Sequence, residues 1–336
     1  MNLYFILFSF FLNLIFFANF NKIVKIYNLY DHPDNYRKFQ KIKIPLVGGL
    51  IVFVNLILFY INFLITNINN DIFYDINNFT LIVGALFFFI LGLLDDKFDL
   101  KANFKLLIQL VILIFLILLN KNILINEINL AFFNKTFNIQ NFSLAFTILC
   151  FLLFINALNM FDGVNLQCGF YSIFAIFFLL LKSFNLVYIY LLFSLLFFLI
   201  KNFQNKAFLG NNGSYLLGFV ISYLFITQSK IKTLYSEEIF LVMLIPGLDM
   251  FRLFISRLLQ KRHPFSPDLN HIHHILLRSF GKFYSFFWVQ LMIVIPIFFI
   301  FFIDVKNYLY LIILSVVFYF LIINFNLNKV KKYFNI

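Results

Sequence analysis

Charged residues are scarce in this sequence. Asp, Glu, Lys and Arg make up 12% of its 336 residues while 63% are hydrophobic, too little polar surface to cover a soluble globule, so the composition implies an integral membrane protein. The two cysteines, Cys150 and Cys168, stand at no metal-ligand spacing, which excludes a zinc ribbon or a disulfide scaffold and leaves both as small apolar residues. No internal repeat, Gly/Ser linker or soluble domain interrupts the chain. Basic residues are absent ahead of the first apolar segment, 3–20, and no small-x-small cleavage site follows it. That pattern reads as a retained helix with its N-terminus outside, not as a signal peptide.

What the sequence does hold is a succession of apolar segments. Judged against the roughly 20 residues a helix needs to cross a bilayer, they are 3–20, 46–66, 79–94, 104–120, 142–160, 169–182, 186–200, 214–228, 238–256, 284–303 and 307–325. The expectation is an all-α polytopic membrane protein of about eleven transmembrane helices, forming a single domain over residues 1–336. Assigning each basic residue to its nearest connection puts twenty of the 26 Lys and Arg on the side of 21–45, 95–103, 161–168, 201–213, 252–283 and the C-terminal tail. By the positive-inside rule that side is cytoplasmic and the N-terminus is periplasmic. The net charge of +12 is therefore a statement about topology, with no nucleic acid implied. The 55 phenylalanines read as lipid-facing filler. The outer connection 121–141 has room for a small hairpin.

The unusual polar sequence lies on the cytoplasmic side. LGLLDDKFD ends an apolar run in Asp95 and Asp96, with Asp99 behind and Lys105 beginning the next segment. A charge at the bilayer centre costs about 2.5–3.5 kcal/mol on insertion scales, so the pair is either a solvated helix end or a site for a divalent cation or phosphate. In NALNMFDG, Asn156, Asn159 and Asp162 recur every three residues and share a helix face, and the loop that follows carries no Lys or Arg. FLGNNGSYLLG is a Gly-rich turn opening a helix, around Gly210, Asn211 and Ser214; it either offers backbone N–H groups to an anion or is a loop capped by Ser214. Pro45 and the pair Gly48–Gly49 likewise permit close backbone approach. Asp249 sits three residues before Arg252, a spacing that a structural ion pair would also give. KRHPFSPDLNHIHH concentrates four of the five histidines in twelve residues. With no Cys or carboxylate at ligand spacing it is a poor zinc site, which leaves phosphate recognition by His271, His273 and His274, or an incidental cluster.

Together DDKFD with Lys105, NALNMFDG, LGNNGS and PFSPDLNHIHH resemble the polyprenyl-phosphate N-acetylhexosamine-1-phosphate transferases, and the HIHH form is similar to the bacterial undecaprenyl-phosphate N-acetylglucosaminyl-1-phosphate transferase branch. The resemblance implies a Mg²⁺-dependent enzyme, with Mn²⁺ as a possible substitute, in the bacterial inner membrane with its active site on the cytoplasmic face. Its substrates would be undecaprenyl phosphate and a UDP-HexNAc, its products undecaprenyl-diphospho-HexNAc and UMP, the first membrane step of a cell-surface polysaccharide. It further implies that Asp95 and Asp96 act on the lipid phosphate or support the metal, that Asn156, Asp162 and Asn211 surround the metal, and that Asn159, Gly210, Ser214, Lys105 and the histidines bind substrate; a homodimer is possible. Three departures stand out. Asn211 occupies the place of an Asp that ligates the metal in the family, DGVNLQ is one residue short after Asn165 of the family's Asp-Gly-x-x-Gly-Leu, and Leu269 stands in the place of an Arg. Three other readings are a cation-coupled transporter, a muramoyl-pentapeptide-type transferase and an inactive scaffold; a transporter would place its acids at mid-membrane on broken helices.

Overall fold

The computed structural model describes residues 2–33, 42–66, 76–231, 234–264, 270–304 and 307–334. Part of the basic loop after Pro33 and the stretch 265–269, which holds most of PFSPDL and Leu269, lie outside the described residues.

The apolar segments form helices α1 (Asn2–Ala18), α3 (Gly48–Thr66), α4 (Ile76–Phe98), α5 (Ala102–Leu119), α6 (Ser143–Phe161), α7 (Gln167–Lys182), α8 (Leu186–Phe203), α9 (Gly210–Lys230), α10 (Ser236–Leu259), α12 (Lys282–Ile300) and α13 (Tyr308–Phe334). Among the described residues eight helices are long and apolar enough to cross a membrane, or nine if α1 and α2 (Phe20–Tyr27), bent at 77°, are one span. Helices α7 and α8 are separate despite the short connection between them. A further helix, α11 (Ile272–Phe280), carries the histidines. The all-helical expectation needs one amendment. Strands β1 (Tyr30–Asp31) and β2 (Ile44–Pro45) pair antiparallel, as do β3 (Glu127–Leu130) and β4 (Lys135–Asn138), the hairpin for which 121–141 had room.

Helix α9 is the axis of the bundle. It is buried over most of its length and packs against α3, α4, α6 and α7. Because protein surrounds it, α9 tolerates Ser, Tyr and Gln where a lipid-facing helix would not. Close packing depends on small residues, since apolar side chains gain little from leaving lipid for protein. A Cβ on Gly92 would run into the backbone of Asn211 and Asn212, and one on Gly218 into that of Ile155. This brings the C-terminal ends of α4 and α6 and the start of α9 within reach of one another.

Two helix boundaries differ from the sequence reading. Helix α4 continues through Asp95 and Asp96 to Phe98, so only the exposed Asp99, with φ +48°, is a solvated helix end. Helix α9 begins at Gly210 and not at Ser214, which makes the glycine-rich sequence the helix's own first turn.

Candidate active site

A cavity of about 770 Å³ opens where α4, α6 and α9 end, lined by Asp31, Asp96, Asn159, Asp162, Asn211 and His274 among others. Each side chain arrives from a different local structure. Asp31 is held there by the β1–β2 pairing. Asp96 is fixed by the first turn of α9: its Oδ1 accepts the backbone N–H of Asn211 at 2.9 Å, and its Oδ2 accepts both the backbone N–H (3.0 Å) and Nδ2 (2.6 Å) of Asn212. Free N–H groups at a helix start attract an anion. Here that anion is the chain's own Asp96.

Asp162 caps the C-terminus of α6, its backbone N–H donating to the carbonyls of Leu158 and Asn159. No hydrogen-bond donor faces its carboxylate among the described residues. Burial pushes its pKa up to about 7, and the negative charges of Asp96 and Asp31 add to the shift. One turn back, Asn159 Oδ1 accepts the Ser214 hydroxyl at 2.6 Å. Ser214 thus links α9 to α6 and is not an N-cap.

Behind the histidines stands Asp249. Its Oδ2 lies 2.8 Å from His271 Nδ1, and its Oδ1 accepts from Arg252 (2.8 Å), the Tyr319 hydroxyl (3.0 Å) and the backbone N–H of Ile272 (3.0 Å). This buried carboxylate anchors the start of α11. His273 stacks on His271, with ring centroids 5.3 Å apart and planes at 5°, and packs on Gly163, where a Cβ would strike its ring. Burial holds the His273 imidazole well below its ordinary pKa, helped by His274 and His271. It is therefore neutral at pH 7, and of the three only His274 lines the cavity.

A family model described as glycosyl transferase family 4 matches residues 78–229. Over 264 residues the chain is 32% identical to the probable undecaprenyl-phosphate N-acetylglucosaminyl 1-phosphate transferase of Bacillus subtilis, covering 75% of this chain and 70% of that protein. It is 30% identical over 272 residues to the undecaprenyl-phosphate alpha-N-acetylglucosaminyl 1-phosphate transferase of Thermotoga maritima, with coverages of 79% and 77%. The protein of the same name from Escherichia coli K12 is 29% identical over 282 residues, covering 79% and 73%. The chain belongs to glycosyl transferase family 4.

The span matched by the family 4 model contains Asp96, Asn159, Asp162 and Asn211. Asp31 and His274 reach the same cavity from outside that span. Of the residues singled out from sequence, Asp96, Asn159, Asp162, Gly210, Asn211 and His274 line it, and Ser214 and His273 pack directly behind.

Asp95, Lys105, Asn156 and His271 do not line it. Asp95 is buried against α5 and α9, bound by Lys105 Nζ at 2.7 Å, the Tyr215 hydroxyl at 3.0 Å and the backbone N–H of Leu100 at 3.1 Å. Its partner Lys105 is thereby engaged by a carboxylate in place of the expected phosphate. Asn156 shares its face with Asn159 and Asp162 but lies deeper, where its Nδ2 donates to Gln109 Oε1 at 2.7 Å across the α5–α6 contact. The Gly48–Gly49 backbone is also engaged, its N–H groups donating to the carbonyls of Phe208 and Leu209. Sequence reasoning missed two residues, Asp31 and Asn212. The first was only the opening residue of a basic loop, and the second only a spacer in the glycine-rich turn.

Proposed function

We propose that this chain transfers a HexNAc-1-phosphate, with GlcNAc as the sugar, from a UDP-HexNAc to undecaprenyl phosphate. One observation carries the reading beyond family membership: Asp31, Asp96 and Asp162 converge from three elements on one cavity, at the end of the bundle where the basic connections lie. A lipid phosphate oxygen attacks the β-phosphorus of the donor, the bond from that phosphorus to the bridging oxygen breaks, and UMP leaves carrying that oxygen. Such a transfer needs positioning and charge neutralisation more than covalent chemistry by the protein.

Mg²⁺ fits the donor set. Apart from the His274 imidazole, the potential ligands lining the cavity are hard oxygens, Asp162 foremost and the Asn211 amide among them, and the carboxyl of Asp162 is raised to about 7 in a surrounding of other acids that a cation would relieve. Among the described residues no three His, Cys, Asp or Glu gather closely enough to cage a metal. That agrees with Mg²⁺, which favours one or two protein ligands and the substrate's phosphates over a full protein cage. When bound, the ion would neutralise the diphosphate. The chain's own contribution is to orient: Asp96, held by α9, faces the acceptor phosphate, while Asn159, Gly210 and His274 border the donor.

A second cavity of about 880 Å³, mostly apolar, lies between α6, α9 and α10 and includes Leu153, Ala157, Phe225, Met243 and Gly247. It supports a lipid acceptor and suits the undecaprenyl chain. The eight apolar helices, the bent α1–α2 pair, the short α7 and the protein-enclosed α9 account for eleven crossings, with the N-terminus periplasmic and the C-terminus cytoplasmic. This is the topology of a bacterial inner-membrane enzyme facing cytosolic UDP-sugars, and a homodimer is compatible with it. Incubating purified protein with undecaprenyl phosphate, Mg²⁺ and a panel of UDP-HexNAc donors is expected to release UMP, fastest from UDP-GlcNAc. Absence of UMP with every donor would instead favour the inactive scaffold.

A further inference from the structure

We infer that Asn212 is a positioning residue for this transfer: its buried side-chain amide fixes the orientation in which Asp96 presents its carboxylate to the cavity. The inference rests on the role given to Asp96 above.

The Asn212 Nδ2 donates at 2.6 Å to Asp96 Oδ2 and at 3.2 Å to the carbonyl of Leu46. One amide therefore ties α4 to both the start of α9 and the segment leading into α3. The orientation of the amide is fixed by chemistry, because both neighbours are acceptors and only the NH₂ end can face them. The side chain is fully buried, and its Oδ1 has no partner among the described residues. Desolvating a carbonyl without a partner is unfavourable, so a residue present only to fill space would not be an amide. The space itself is tight: Cβ atoms on Gly49 or Gly92 would collide with residues 211–213. A longer side chain does not fit there, and among shorter ones only a hydroxyl keeps a donor on the side of Asp96.

The consequence for Asp96 follows from the geometry of a carboxylate. Two backbone N–H groups hold it on the side of α9. The third, charge-assisted donor sets the rotation of the carboxylate plane and leaves its remaining lone pairs toward the cavity. Without Nδ2 the two backbone bonds persist but the plane is free to turn, and an approach misplaced by even 1 Å can slow a transfer 100-fold.

Four versions of this position separate donation from packing. Rates are measured on the full-length protein in membranes, per UMP-binding site, so that a loss of folded protein does not count. The expected order of kcat is Asn, then Asn212→Ser within about threefold, Asn212→Ala lower by about tenfold, and Asn212→Asp lower by about 100-fold, with KM for the UDP-sugar within about twofold throughout. Ser and Ala are nearly equal in size, so a difference between them reports the lost donor. Asp has the shape of Asn but turns a donor into a repelling charge. A packing role predicts the reverse pairing, Asp close to Asn and Ser equal to Ala, and that result would overturn the inference. Full activity in Asp96→Asn would instead remove the role of Asp96 on which it rests. A dead Asp96→Asn with an unaffected Asn212 series would leave that role standing and remove only Asn212.

Discussion

The molecule holds two cavities of similar size and opposite character. The one where α4 and α6 end and α9 begins, about 770 Å³, is faced by three carboxylates and several amides. The other, about 880 Å³, is bordered by leucine, phenylalanine and methionine side chains between α6, α9 and α10. Both share α6 as a wall: Leu153, Phe154 and Ala157 line the apolar cavity, and Asn159 and Asp162 the polar one. Less than two helical turns thus convert a surface for hydrocarbon into a surface for charge. A phosphorylated lipid has the same division between head and chain, and the two cavities should fail separately when altered separately.

The largest effect should come from the polar side. Asp96→Asn and Asp162→Asn are each expected to lower UMP release about 10²- to 10³-fold, the scale of losing a preorganised electrostatic group, while the protein stays folded in the membrane. Asp95→Asn should behave differently, although it is the adjacent residue. Its carboxylate is buried and bound to Lys105 and Tyr215, so the variant should lose about 2–3 kcal/mol of stability as a lower thermal midpoint in detergent. Equal stability and equal loss of rate in the two Asp→Asn variants would erase the distinction drawn between them.

That distinction also marks how far the sequence was legible. The polar clusters and their gathering in one place were readable, and Asp96, Asn159, Asp162, Asn211 and His274 do share one cavity. Adjacent helical residues diverge by about 100°, however, and no pattern says which of Asp95 and Asp96 turns to the core. Asn156 was misplaced for a related reason. A spacing of three assigns a face but not a depth, and Asn156 sits far enough down that face to meet Gln109. The anion expected at the start of α9 exists, but it is a side chain from 115 residues away in sequence. The roles of His271 and Asp249 were likewise hidden, since their 2.8 Å contact spans 22 residues.

An intermediate effect should come from the apolar side. Gly247 borders that cavity, and a Cβ there would meet nothing within 4 Å. Gly247→Leu should therefore fold, filling space and replacing a residue of low helix propensity. The expected outcome is about a fivefold to tenfold rise in KM for undecaprenyl phosphate, on the scale of roughly 1 kcal/mol or slightly more of lost apolar contact, with KM for the UDP-sugar unchanged. A rise in both constants would mean that the cavities are not separate in function.

An effect of similar or smaller size concerns Mg²⁺ at the boundary of the polar cavity. A carboxyl must lose its proton to ligate a cation. Below its pKa of about 7, the proton on Asp162 competes with the metal, so the half-saturating Mg²⁺ concentration should rise as pH falls from 7.5 to 6, toward tenfold per unit once Asp162 is mostly protonated. Above pH 8 the carboxylate is ionised and the dependence should flatten. Asn211→Asp adds a second negative charge to the same cavity and should lower half-saturating Mg²⁺ about threefold at pH 8, a modest shift because water in the open cavity screens the added charge. Direct Mn²⁺ titration of the protein by electron paramagnetic resonance checks both effects without turnover. A flat pH dependence would remove Asp162 from the cation's surroundings, and an unchanged midpoint in Asn211→Asp would do the same for Asn211.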